Sequence, residues 1–393
     1  MPETPDPLHI DTVAIRSGRD ANCSSLAPVL WPTSTFVAPD AAAARRMATT
    51  TGAVEFYSRY GNPTIAAFES AIAELEGAQA ARAFSSGMGA VSAVVLGLCS
   101  TGDHIVTQQQ LYAGTQLLFN SVCPRFGIDV TFVDATDPDA WDAAIRPGKT
   151  MLCFGESPAN PRLALVDLER FGAIAGPVTV LDSTFATPIG QRPLDYGVKL
   201  ALHSATKAIA GHNDATIGVV AGEKELIDWL WTFAVLQGAN ASPFDAMNAL
   251  RGIRTLPIRI ERQSATAQVV AEFLEADERI ASVSFLGLRS HPQFELARRQ
   301  MHVTTGLITF DLAGDAETGR RFVEATRIAQ FATSLGGPET LVTHPASTTH
   351  VGLLPEELLD AGIGPATIRM SVGLEDPADL VADLSQALAV ANA

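Results

Sequence analysis

The sequence predicts an α/β fold with a mainly parallel central sheet, followed by a smaller α+β unit. From about residue 64 to 255, short apolar runs alternate with helical stretches, and such alternation builds a parallel sheet covered by helices. Two of these runs stop at chemically able groups, VTVLD at Asp182 and LALHSATK at Lys207. Beyond Thr255 the pattern changes to one long helix and then to strand-like segments. A length of 393 residues exceeds one ordinary domain of roughly 100–200 residues, which suggests an arm over 1–58, an α/β unit over 59–255 and an α+β unit over 256–393.

The arm mixes Pro, Thr, Ala and Asp without sustained periodicity and carries one short helix, with Ala41 to Ala44 as a helical turn. Buried strands are expected at 103–106, 130–133, 151–154, 178–181 and 200–202. In the last unit, a helix is expected over Ile258 to Leu274, strands over Leu307 to Phe310 and Thr367 to Val372, and a helix at the end. No internal repeat is present.

Hydrophobic residues make up 47% and charged residues 18%, the mark of a compact chain with a large core. A formal charge of −16 opposes binding to nucleic acid or to an anionic lipid surface. The first residues, MPETPDPLHIDT, lack the basic and apolar regions of a secretory signal, and no apolar run is long enough to cross a bilayer. Cys23, Cys99, Cys123 and Cys153 lie far apart with no CxxC pair, so a reduced, cytoplasmic setting without disulfides is expected.

In open α/β sheets ligands bind beyond the carboxyl ends of strands, so Asp182 and Lys207 propose a carboxylate and an amine lining one crevice. Pyridoxal phosphate (PLP) chemistry needs that pair: lysine holds the cofactor as a Schiff base and a carboxylate keeps the pyridine nitrogen protonated. It also needs an anion seat. Ser85-Ser86-Gly87-Met88-Gly89-Ala90 offers small residues opening a helix, and Ser204 and Thr206 add hydroxyls beside the lysine. Tyr112 follows another strand and suits stacking on a flat ring. Gly87-Met88-Gly89 is not a dinucleotide fingerprint, because Ser92 stands at the third glycine position. His344 and His350 lack metal-ligand spacing, so no metal is expected.

These segments, together with Tyr57 to Thr64, Glu156 to Pro161, Asp182 to Phe185, His203 to Lys207, Ser242 to Asp245, Arg251-Gly252, Ser334 to Gly337, His344 to Ser347 and Arg369 to Asp376, resemble in order the Cys/Met-metabolism PLP-dependent enzymes. The resemblance spans nearly the whole chain. It implies the PLP-dependent transferase-like fold of the aspartate aminotransferase type (fold type I). It also implies that Lys207 is the Schiff-base lysine and proton shuttle, Asp182 the partner of the ring nitrogen, and Tyr112 the stacking tyrosine that shares in proton transfer. Ser86, Gly87, Met88, Ser204 and Thr206 become the phosphate cradle, and Asn160 the neighbour of the phenolic oxygen. Ser334 and Arg369 hold the substrate α-carboxylate, with Tyr57 beside the substrate. Tyr57 and Arg59 reach the phosphate of a neighbouring subunit, so each complete site would be shared across a dimer; the resemblance implies a homotetramer built as a dimer of such dimers, with the dimer as the alternative.

The stretch His344 to His350, the Pro355-Glu356-Glu357 region and Ile368 to Asp376 are most similar to methionine γ-lyases, which favours γ-elimination from methionine or a thioether such as cystathionine. Against it, Gly114 replaces the cysteine usual in those lyases, Ala234-Val235 replaces a Lys-Asp pair and Gln263 a histidine. The alternative is γ-replacement, as in a cystathionine γ-synthase or an O-acylhomoserine sulfhydrylase. Two readings from other classes are a nicotinamide oxidoreductase, opposed by the missing fingerprint, and a silent cofactor-binding scaffold, which would not require Tyr112, Lys207 and Arg369 all to be present.

Overall fold

A computed structural model describes residues 8–22, 24–348, 351, 358 and 362–393. The Pro355-Glu356-Glu357 region, His350, Cys23 and the first seven residues lie outside the described residues.

The expected parallel sheet forms. Seven strands, β1 (Ala80–Phe84), β2 (His104–Gln108), β3 (Asp129–Val133), β4 (Thr150–Glu156), β5 (Val178–Asp182), β6 (Leu200–His203) and β7 (Gly218–Gly222), pair in the order β1-β7-β6-β5-β4-β2-β3. β2 to β6 are mutually parallel, and β7 runs antiparallel between β6 and β1. Reversing direction twice leaves β1 parallel to β6. The carboxyl ends of β1, β4, β5 and β6 therefore open on one side, where ligands bind in such sheets.

Both faces are covered, which is why β2, β6 and β7 are buried along their full length. Helix Pro63–Glu76 packs on one face with Ile65, Phe68 and Ile72, and helix Gly87–Leu98 on the other with Val91, Val94 and Val95. Pro63 at the start of the first helix and Asn62 capping Thr64 N set its entry. Gly77 closes it in the left-handed conformation.

The second sheet holds β8 (Ile280–Ser284), β9 (Leu307–Leu312), β10 (Gln330–Phe331), β11 (Leu341–Thr343) and β12 (Thr367–Ser371) in the order β10-β11-β12-β9-β8. Only the β10–β11 pair is parallel among them. Helix Leu256–Glu275, which contains the expected 258–274 segment, and the closing helix Pro377–Ala391 cover it through Val270, Leu274, Leu384 and Leu388.

The arm departs from expectation. It carries helices at both Ile10–Arg16 and Ala41–Thr49, because Asp40 accepts from Ala43 N at 2.7 Å and turns the alanine run into a capped helix. Among the described residues, no helix is long and apolar enough to cross a membrane.

One contact ties the sheet to the site it opens on. A Cβ at Gly218 in β7 would lie 2.2 Å from the Ser86 carbonyl oxygen, so β7 and the start of helix Gly87–Leu98 touch backbone to backbone. Gly218→Ala should separate them and lower unfolding stability by about 1–3 kcal/mol, as overpacking does. Urea unfolding of the apoprotein checks this, and an unchanged midpoint would show that the two elements are free to part.

Candidate active site

A cavity of about 360 Å³ lies at the carboxyl ends of the parallel strands. Its lining includes Ser86, Gly87, Met88, Tyr112, Asn160, Asp182, Ser204, Thr206, Lys207, Ser334 and Arg369, so every site residue expected from the sequence except Tyr57 and Arg59 meets there.

The anion seat comes from β1 and the helix it feeds. Ser86 leaves the strand in extended geometry and caps the helix through Gly89 N at 3.0 Å. The N–H groups of Gly87 and Met88 are the helix's unpaired first-turn donors, directed where a negative charge is best received. Gly87 is required by space, since a Cβ there would stand 2.7 Å from Ser204 Cβ. Thr206 Oγ1 closes a small ring with Ile217, donating to its carbonyl at 3.1 Å and accepting from its N–H at 2.9 Å, which pins the turn carrying Lys207.

Asp182 ends β5 and is buried. Its Oδ1 accepts from Thr184 N at 3.0 Å and from Thr184 Oγ1 at 2.5 Å. Thr184 Oγ1 in turn accepts from Ser204 N at 2.8 Å, binding the end of β5 to the turn after β6. Burial raises the Asp182 pKa while the Thr184 hydrogen bonds oppose the rise. Among the described residues no donor reaches Oδ2, which leaves that oxygen for a group in the cavity.

Lys207 Nζ donates to Ser334 Oγ at 2.9 Å. Burial, with Arg369 nearby, lowers its pKa to about 8. Ser334 is held at φ +81°, a left-handed conformation rare outside glycine and costing about 1–3 kcal/mol, the kind of strain that gathers at functional sites. Arg369 helps to hold it, donating to the Ser334 carbonyl at 3.1 Å and to Asn160 Oδ1 at 3.2 Å. Burial brings the Arg369 pKa down to about 10. It remains a cation at neutral pH.

Tyr112 is half exposed at the cavity mouth, its ring lying over Gly114. A Cβ on Gly114 would sit 2.6 Å from Tyr112 Cε1, so this tyrosine pose depends on the glycine. Tyr57 and Arg59 face elsewhere. Arg59 donates to the Val235 carbonyl at 2.9 Å and lies 5.5 Å and 5.2 Å from the ring centres of Tyr57 and Tyr60. His344 has no ring nitrogen free for a metal, because Nδ1 meets Ser347 Oγ at 2.9 Å and Nε2 the Pro365 carbonyl at 2.7 Å. Gln263 donates to the Gly337 carbonyl at 2.8 Å, tying the loop after Ser334 to the long helix.

The sequence reading did not single out Glu156 or Thr184, although both line the cavity. Glu156 carried a readable signal, a carboxylate ending a buried strand just as Asp182 does.

The family model for Cys/Met metabolism PLP-dependent enzymes matches residues 11–389. The chain belongs to that family. It is therefore a PLP-dependent enzyme, a carbon–sulfur lyase or a close relative of one. It is 43% identical over 385 residues to an O-succinylhomoserine sulfhydrylase of Pseudomonas aeruginosa, covering 96% of this chain and 95% of the relative. It is 41% identical over 371 residues to an L-methionine gamma-lyase of Treponema denticola, covering 93% and 92%. The crystal structure of metB from Corynebacterium glutamicum matches with a TM-score of 0.90 at 34% identity, over 98% of this chain and 99% of that one. The fold is that of the PLP-dependent transferases.

The lining fits PLP. A cradle opened by Gly87, with free N–H groups, suits the phosphate, Asp182 Oδ2 suits a protonated ring nitrogen, and a partly deprotonated buried amine suits the aldehyde carbon.

Because burial penalises the ammonium form, Lys207 should react as a neutral amine well below the range of an exposed lysine. Labelling of the apoprotein by an amine reagent, read at Lys207 by peptide mass spectrometry, should reach half its maximal rate near pH 8. A midpoint above pH 10 would show that the cavity does not depress this amine.

Proposed function

We propose that this chain is a carbon–sulfur γ-lyase that cleaves methionine or a related thioether amino acid such as cystathionine, consuming water and yielding a 2-oxo acid, ammonia and a thiol. The charge content of the cavity carries the reading. Among the described lining residues, Arg369 is the one guanidinium, while Met88, Val91, Pro158, Phe185 and Leu335 give an apolar wall. One carboxylate seat beside an apolar wall suits methionine, with a single carboxylate and an uncharged thioether. The second carboxylate of cystathionine would meet no further guanidinium among the described lining residues.

Bound PLP supplies an electron sink next to the substrate α-carbon. Lys207 would hold the cofactor, and its Nζ would move the substrate α-proton along the carbon chain; a pKa of about 8 leaves a useful neutral fraction at neutral pH. Asp182 keeps the proton on the ring nitrogen through Oδ2. Ser86, Gly87, Met88, Ser204 and Thr206 receive the phosphate. Asn160, whose Oδ1 is taken by Arg369, offers its amide N–H₂ to the phenolic oxygen. Ser334 and Arg369 orient the α-carboxylate. Tyr112 would lie against the bound ring and deliver a proton to the departing sulfur.

Tyr57 and Arg59 turn away from their own cavity, which supports their completing the site of a second copy, in a tetramer built as a dimer of dimers. Tyr57 then stands beside the substrate of that second copy. The units 1–58, 59–255 and 256–393 serve as arm, cofactor unit and carboxylate-binding unit. A cytoplasmic location fits three buried free thiols, Cys99, Cys123 and Cys153.

A second reading has its own observation. Gly114 holds the Tyr112 pose, and glycine at that place is the pattern of cystathionine enzymes and sulfhydrylases, which favours γ-replacement on an O-acylhomoserine. Both reactions share the early proton transfers and differ in what meets the unsaturated product.

Product analysis decides between them. With methionine alone, a 2-oxo acid, ammonia and a thiol should accumulate in equal amounts. Turnover only with an O-acylhomoserine plus a thiol would replace the lyase reading by the transferase one. The shared site is tested by mixing inactive Arg59→Ala and inactive Lys207→Ala subunits, since a hybrid dimer holds one site with both defects and one with neither. Activity should return after subunit exchange. Continued inactivity of a verified hybrid would place Arg59 in its own chain's chemistry.

A further inference from the structure

Glu156 ends β4 and is buried, yet no step above uses it. Both its carboxylate oxygens are committed. Oε2 accepts from Tyr112 N at 2.8 Å and Oε1 accepts from Asn160 N at 2.8 Å, so one side chain ties together two loops that flank the cavity. Its backbone is fixed as firmly. Gln108, at the end of neighbouring β2, accepts from Glu156 N at 2.9 Å and donates to the Glu156 carbonyl at 3.0 Å.

Tyr112 opens the short helix Ala113–Leu117, which has no side-chain cap from its own residue; the Glu156 carboxylate holds the N–H there instead. On the other side Asn160 passes the constraint on, because its Oδ1 receives Arg369. The arrangement is costly. Glu156 stands opposite Asp182 in the β4–β5 register, and burial with the charge of Asp182 pushes its pKa up to about 8. The geometry shows what the carboxyl supplies there: an oxygen facing each of two backbone N–H groups, where the amide of an isosteric glutamine has one acceptor oxygen.

We infer that Glu156 is a positioning residue that fixes the gap between the Tyr112 ring and the Asn160–Arg369 pair, and so sets the slot in which the reacting groups lie. This rests on the reading of Tyr112, Asn160 and Arg369 given above. Catalytic geometry tolerates little error, a displacement of 1 Å costing about 100-fold.

The test uses the holoenzyme and whichever substrate product analysis shows to be turned over. Glu156→Gln keeps one of the two N–H bonds. It should retain bound cofactor and far-ultraviolet dichroism, lose kcat by about 10- to 100-fold with a smaller change in KM, and alter the visible dichroism of the bound cofactor. Combined with Tyr112→Phe, the loss should be well short of the product of the two single losses, because both act on one group. Glu156→Asp, which has two oxygens but cannot span both loops, should show the same pattern and serves if the glutamine variant does not fold. Wild-type turnover and dichroism in a folded Glu156 variant, or losses that multiply in the double variant, would overturn the inference while leaving the role of Tyr112 intact. Wild-type turnover in Tyr112→Phe alone would instead remove that role, and the inference with it.

Discussion

Two hydrogen bonds across the two sheets hold the site together: Lys207 to Ser334, and Arg369 to Asn160. Lys207 and Asn160 follow strands of the seven-stranded sheet, whereas Arg369 lies in β12 of the five-stranded one and Ser334 in the loop that joins its β10 to β11. Neither sheet alone contains both an amine and a seat for a carboxylate. The cavity exists because the carboxyl ends of β4 to β6 meet β12 and the strained turn after β10.

The electrostatics follow from that meeting. Asp182, Glu156, Lys207 and Arg369 are brought close in a space where burial, the leading cause in each case, shifts all four away from their ordinary values. Removing such groups from water costs several kcal/mol each unless partners compensate. The protein compensates in part, with Thr184 for Asp182, two backbone N–H groups for Glu156 and a carbonyl with an amide oxygen for Arg369. The rest falls to what binds: on the proposed reading, a protonated ring nitrogen at Asp182 and a carboxylate at Arg369 would complete the set. A site so arranged gains most from a ligand carrying those charges in those places.

Much of this was legible from residue order. The strands β2 to β6 announced themselves as apolar runs, and Asp182 and Lys207 as polar groups at their ends. β1 and β7 did not. β1 carries Arg82, buried against Glu69 at 3.4 Å, which breaks the apolar signal, and β7 is bracketed by the glycines its close packing demands. The left-handed backbone of Ser334 had no local marker, since it is imposed by Arg369 and Lys207 from elsewhere in the chain. Glu156 was overlooked for a different reason. Its partners are backbone N–H groups, which sequence cannot display, though its place at a strand end matched that of Asp182.

The position of β7 has a consequence for how the chain is made. The proposed phosphate seat begins at Ser86 and Gly87, but β1, which presents it, is paired to the sheet, among the described residues, only through β7, whose Gly218 lies against Ser86. Residues synthesised early thus wait for a strand that follows Lys207. Closing so long a loop is slow compared with forming local helices. A ribosome-bound chain that has not yet extruded β7 has neither an anchored seat nor a fixed lysine, so the cofactor has nowhere to bind during most of translation. On the proposed reading of these residues, a complete seat and a fixed lysine would come only with closure of the sheet.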